Sequence, residues 1–229
     1  MDGEERRMAV NRSIAILSIA LVVGLVGAAR GDLVFNLDVA FPDTIVTGDS
    51  PRDNGPELPW LRATFHTVSV GEVTLTLESF LTGTEFVDGN AGWYFNFNPA
   101  LDVMALSITF VTGSGVEPEF IGQGENAFQA DGDGSFDIAF DFPQPAGSRF
   151  GAGATAEFNI TSSEPITAYS FNFFSELGGG QGSYLSAAHV QNTPGSEGSG
   201  WIGAVPAPGA ALLGVIGLGV VARIKRWIS

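Results

Sequence analysis

The sequence predicts an all-β protein, a two-sheet β-sandwich of jelly-roll or Greek-key type, flanked by an N-terminal signal helix and a C-terminal transmembrane helix. Three observations carry the central prediction. Apolar and polar residues alternate with a period of two through much of residues 31–204, turn-forming residues fill the gaps, and no stretch of that region shows a helical period with caps.

The chain of 229 residues opens with an apolar run from Ile14 to Val26, preceded by Arg6, Arg7 and Arg12 and followed by Gly27, Ala28 and Ala29. Basic flank, short apolar centre and small residues in that order read as a secretory signal peptide over residues 1–29. The alternative, an uncleaved anchor, needs about 20 apolar residues to span a bilayer, and this run is shorter.

The strands come next. Leu33, Phe35, Leu37, Val39 and Phe41 alternate with Val34, Asn36, Asp38 and Ala40. Val73, Leu75 and Leu77 alternate with Thr74, Thr76 and Glu78, and Trp93, Phe95 and Phe97 with Tyr94, Asn96 and Asn98. Phe136, Ile138, Phe140 and Phe142 alternate with Asp137, Ala139 and Asp141. Each pattern buries one face of a strand and wets the other. Further strands are expected near residues 62–70, 103–112, 154–161, 166–174 and 184–191, giving about nine in all. Gly, Pro, Asn and Asp cluster in Thr47–Pro59, Gly113–Pro118, Pro143–Gly153 and Gly178–Gly182, which is the chemistry tight turns require. The region is long enough for one sandwich and too short for two comfortable domains.

Composition excludes several functions. Residues 31–204 hold 22 Asp and Glu against Arg52, Arg62 and Arg149, with no lysine. Binding a phosphate backbone needs clustered cations, so nucleic acid is not an expected partner. The chain has no cysteine, which removes disulfides, thiolate zinc sites and cysteine nucleophiles. His66 and His189 are its two histidines, too few for a three-histidine zinc site, and each is expected to be a hydrogen-bonded strand residue. No Gly-x-Ser-x-Gly elbow occurs, and the one lysine, Lys225, lies in the tail. The expected protein is not an enzyme. Paired carboxylates of a glycosidase remain the least favoured alternative.

Two candidate sites stand out. Asp131, Asp133, Ser135 and Asp137 alternate along one short loop and offer the hard oxygens calcium prefers. Phe136 and Phe142 occupy the positions where an EF-type loop needs Gly and Glu, so the alternative is a plain hairpin turn with solvated acids. Trp60 and Tyr94 are the aromatics left to stack on a sugar, which would make the domain a carbohydrate-binding module.

The C-terminal part has three steps. A Gly/Ser-rich linker is expected over residues 193–204, after a sandwich domain over 30–192. Val205, Pro206, Ala207, Pro208 and Gly209 then form an extended proline motif. An apolar run from Gly209 to Ala222 follows, about 21 Å long as a helix against a hydrocarbon core of about 30 Å. Arg223, Lys225 and Arg226 close it, and positive charge beside a membrane helix tends to stay cytoplasmic, leaving the acidic domain outside.

This ending, Val-Pro-Ala-Pro-Gly-Ala with a Gly-rich apolar helix and a basic tail, resembles the PEP-CTERM sorting signal of bacterial exported proteins. Ala207 stands where that signal usually has Glu, a departure similar to the VPAPGA variant. The resemblance covers about the last 25 residues, which assigns residues 205–229 to a sorting signal. From Trp93 onward the chain order also looks like the domain found ahead of such tails, in Gly92–Pro99, Ala130–Ile138, Ser170–Phe173 and Ala187–Gln191. The family is defined by its tail and lacks a settled activity. What the resemblance implies is location: export by the secretion machinery, a transient inner-membrane tether, processing near Pro206–Pro208 by an exosortase-type sorting enzyme, and release to a cell surface or matrix rich in exopolysaccharide. The bland alternative is an ordinary tail anchor.

Overall fold

Two antiparallel sheets pack face to face in the computed structural model, which describes residues 31–41, 58–89, 92–131, 134–178, 182–194 and 198–206. The expected signal peptide, the transmembrane run and the basic tail lie outside these residues. Among the described residues no helix is long and apolar enough to cross a membrane.

The first sheet is built from β1 (Leu33–Leu37), β3 (Leu61–Ser69), β4 (Glu72–Ser79), β11 (Thr155–Ser162) and β7 (Leu106–Phe110), in the spatial order β1-β3-β4-β11-β7. Its strands keep the alternation read from the sequence. In β1 the buried set is Leu33, Phe35 and Leu37; in β4 it is Val73, Leu75 and Leu77 with Ser79. Gly71 turns the β3–β4 hairpin at φ +91°, a left-handed conformation that L side chains rarely adopt.

The second sheet holds β10 (Phe150–Gly151), β5 (Phe86–Val87), β12 (Ser186–Gln191), β6 (Trp93–Phe95), β9 (Ser135–Asp141) and β8 (Phe120–Gln129) in that order. β13 (Ser199–Ala204) pairs along the whole of β12, and β2 (Val39–Ala40) pairs with β13. On its other side β12 meets β6 through Ser186–Ala188 and β5 through Val190–Gln191.

Between the sheets lies an aromatic core. Phe35, Phe65, Phe95, Phe140 and Phe158 are at most 2% exposed, and most of their ring contacts are edge to face or tilted, as at Phe65–Phe95 (5.4 Å, 84°) and Phe140–Phe158 (4.7 Å, 54°), while Phe35 stacks on Phe95 (6.5 Å, 21°). Burying each such ring contributes about 2–3 kcal/mol relative to leaving it in water.

Three expectations are corrected. The stretch 166–174 is not a strand: residues Ala168–Phe171 form a 3-10 turn in which the Ser170 hydroxyl accepts from Thr167 N–H (3.0 Å). Ile166, Ala168 and Phe171 are all buried, at a spacing that a single turn can satisfy as well as a strand. The linker expected over 193–204 gives way at Ser199 to a strand, because Trp201, Ile202 and Ala204 are buried against β12 and its neighbours. Finally, the second sheet has no fully wet face. A smaller cluster of Phe41, Tyr94, Phe136, Tyr184 and Trp201, with Ala139 and Ala187 beneath, covers part of its outer side.

Candidate functional site

The residues singled out in the sequence do not converge. Trp60, 5% exposed, belongs to the core between the sheets, and Tyr94, 6% exposed, to the outer cluster. Neither ring offers a face for a sugar to stack on, so the sugar site at Trp60 and Tyr94 is corrected. Alternation had placed Tyr94 on the wet side of its strand, and its side is covered instead by Trp201 (centroids 5.3 Å) and Phe136 (5.8 Å).

The calcium loop fares similarly. Asp133 lies outside the described residues. Asp131 sits exposed in the turn before β9 with φ +45°, and Ser135 pairs its backbone with Glu176. Asp137 spends both carboxylate oxygens on backbone donors: Oδ1 accepts from Asn126 N–H and Oδ2 from Phe97 N–H, each at 2.8 Å. Among the described residues no group of three or more His, Cys, Asp or Glu is placed to hold a metal ion. Asp137 is a brace between β9, β8 and the chain leaving β6, the reading that the plain hairpin alternative comes closer to.

The two histidines lie on different sheets. His66 on β3 meets Asp32 (Nδ1–Oδ1 2.6 Å) in an exposed pair, while His189 on β12 meets Asp88 (Nδ1–Oδ2 3.0 Å) with both side chains largely buried. Asp88 follows β5 and also accepts from Gln191 Nε2 (3.0 Å), from Gln144 Nε2 (2.5 Å) and from Gly89 N–H (2.7 Å). The His189 ring packs on Trp201 at 5.1 Å. Nearby, burial pushes the Asp141 carboxyl above its ordinary value; a bond from Gly92 N–H (3.2 Å) acts the other way, and the charge of Asp88 adds to the rise. Burial, then Asp141 and Asp88, push the Tyr94 hydroxyl up to about 12. The arrangement joins an acid, an imidazole and a phenol, and both oxygens of Asp88 accept hydrogen bonds from side-chain or backbone donors. It ties β5, β12, β13 and the end of β9 together.

A cleft of about 690 Å³ opens at the other end of β6. Its walls come from residues 96–104, from Glu125 and Asn126 on β8, from Asp137 on β9, and from the connections carrying Glu164, Phe173, Phe174 and Glu176. Hydrogen bonds fix the rim: Glu164 Oε2 accepts from Asp102 N–H (2.9 Å), Asp102 Oδ1 from Met104 N–H (2.9 Å), and Asn98 Oδ1 from Ala100 N–H (2.9 Å). Gln123 Nε2 donates to the carbonyls of Val103 (2.8 Å) and Leu106 (3.1 Å), pinning the 3-10 turn Val103–Ala105 to β8. The cleft volume falls within the range of about 300–1,000 Å³ usual for ligand sites. Sequence reading missed it because its acids are scattered from Asp102 to Glu176 with no local motif. The Asn-Phe-Asn-Pro run at 96–99 is its one compact signal, a turn that projects the rim.

Comparison of the chain with family profiles, curated proteins and solved structures found no match.

Proposed function

We propose that this is an exported, non-enzymatic β-sandwich protein of the cell surface or extracellular matrix, with jelly-roll or Greek-key wiring, processed at a C-terminal sorting signal. The leader over residues 1–29 directs secretion, the apolar run 209–222 tethers the chain in the inner membrane, and Arg223, Lys225 and Arg226 hold its end in the cytoplasm. An exosortase-type enzyme then cuts within Val205–Gly209. Exopolysaccharide is the surrounding material, and nucleic acid is not a partner.

One observation supports this reading best. The last described strand stops where the motif begins: Ala204 is 1% exposed and its carbonyl accepts from Leu185 N–H (2.9 Å), whereas Val205 is 40% exposed and Pro206 is exposed too. Proline has no N–H to add to a ladder, so Pro206 cannot continue β13, and Val205 and Pro206 are open to an enzyme. A protease-like site needs such a segment outside the fold.

The test is mass spectrometry of the protein recovered from the surface of a bacterium that carries an exosortase. Loss of residues 210–229, with a new end inside 205–209, is expected, and Pro206→Leu should leave the tail in place. Recovery of every copy with Ser229 intact, or a reporter on the domain facing the cytosol, would overturn the reading.

A further inference from the structure

The cleft beside β6 carries charge of one sign. Asp102, Glu125, Asp137, Glu164 and Glu176 line it, and among the described residues no Lys, Arg or His does. The described arginines of the domain are engaged elsewhere, Arg62 with Asn36 and Glu78 and Arg149 over the ring of Phe86 at 4.0 Å. A field of this kind concentrates cations but selects none of them.

Three further features narrow the choice. First, the carboxylates ring the cleft without converging, since no three of them are placed to hold a metal ion. Calcium needs about six to eight oxygens at about 2.3–2.6 Å from one point, so a point cation is a poor fit and an extended one a good fit. Second, Asn96 lines the cleft and is 3% exposed. Its Nδ2 donates to the carbonyls of Tyr184 (3.2 Å) and Leu185 (3.5 Å), which fixes the amide and leaves Oδ1 without a hydrogen-bond donor among the described residues. An acceptor held in this fixed position can take a hydrogen bond from a donor on whatever fills the space. Third, apolar surface interrupts the charge: Phe174 is 52% exposed and Met104 66% exposed on the same walls. An aromatic face attracts ammonium groups and packs methylenes.

We propose that the cleft binds an aliphatic oligoamine, a chain of methylenes carrying two or more ammonium groups. Separate ammonium groups pair with separate carboxylates, Glu125 and Glu176 among them, the methylenes lie on Phe174 and Met104, and one N–H reaches Asn96 Oδ1. The ligand supplies donors alone, matching a lining whose charged side chains are all carboxylates.

The test is calorimetric titration of the full-length chain with spermidine at low salt, alongside its fully acetylated form, a dilysine peptide, calcium and magnesium. Expected are saturable binding of spermidine, at least a tenfold loss on acetylation, and weakening as salt rises. Glu125→Gln combined with Glu176→Gln should lower affinity about tenfold with an unchanged melting temperature, because neither side chain carries a hydrogen bond of the rim. Phe174→Ala should lower it about threefold. The proposal is overturned by absence of spermidine binding at millimolar concentration, by calcium binding as tightly, by binding of the dilysine peptide alone, or by affinity unchanged in the double variant.

Discussion

The indole of Trp93 and the hydroxyl of Ser186 form a buried relay across the second sheet: Nε1–H donates to Oγ at 2.9 Å, and that hydroxyl donates to the carbonyl of Tyr94 at 2.8 Å. Both residues are fully buried, so the serine satisfies two polar groups that water cannot reach. Ser186→Ala should therefore cost about 1–3 kcal/mol, the penalty for an orphaned buried donor rather than for a lost neutral hydrogen bond. Urea unfolding measures it. In a double-mutant cycle with Trp93→Phe, which removes the orphan, the serine substitution should cost clearly less, and full additivity would show that the relay contributes nothing.

Gly92 lies just before β6, where three strands crowd together. Its N–H donates to Asp141, its carbonyl accepts from His189 N–H (3.1 Å), and a Cβ there would overlap the carbonyl oxygen of Phe140. The obstacle is backbone, which no rotamer change removes. Gly92→Ala should push β6 off β9 and destabilise by about 3 kcal/mol, the upper end of the overpacking range. A melting temperature within a degree of the parent would contradict this close approach.

The strand at Ser199–Ala204 predicts a sharp dependence on where the chain is shortened. Ending it after Pro206 leaves every ladder bond of β13 in place, and cooperative unfolding should persist. Ending it at Thr193 removes the partner along one whole side of β12 and strips Trp201 from Tyr94 and His189. That shorter chain should unfold without a cooperative transition and bind hydrophobic dyes. Were residues 193–204 a linker, the two would behave alike.

The first sheet was legible in the sequence because one of its faces meets water, and a half-wet strand writes its environment as alternation. β4 shows this plainly in Val73, Leu75 and Leu77. The longest strand, β8, was missed for the opposite reason. Gly122, Gly124 and Asn126 break any apolar pattern, its register shifts between Gln123 and Phe128, and as an edge strand it buries little. β13 was hidden by Gly200 and Gly203, which look like linker. Yet a Cβ at Gly203 would press on the Tyr184 ring 2.5 Å away, so that glycine marks close packing. Of the outer cluster and the cleft almost nothing was legible. Both depend on which loops fold back over a sheet, and residue type at a single position does not record that.

The outer cluster makes a pH prediction whose two limbs share one sign. Tyr94 has its hydroxyl raised from 10.0 to about 12, and the Asp141 carboxyl is raised above its ordinary 3.8. A group whose folded value lies above its unfolded one favours the fold while protonated, and that contribution disappears as the pH climbs through the folded value. For Tyr94 the contribution is complete below about 10 and is lost between about 10 and 12, at most on the order of 3 kcal/mol. For Asp141 it is complete below about 3.8 and is already lost in part at higher pH, so the ionised carboxylate weighs on the fold near neutrality. Tyr94→Phe should flatten the alkaline fall in melting temperature while changing little at pH 7. Asp141→Asn keeps an acceptor for Gly92 N–H and discards the charge, so it should raise the melting temperature at pH 7 and leave it unchanged near pH 3. The many other carboxylates of this acidic chain shift parent and variant alike, which makes the difference curve the quantity to read. A difference that grows toward pH 3 would have the wrong sign for a carboxyl destabilised by burial.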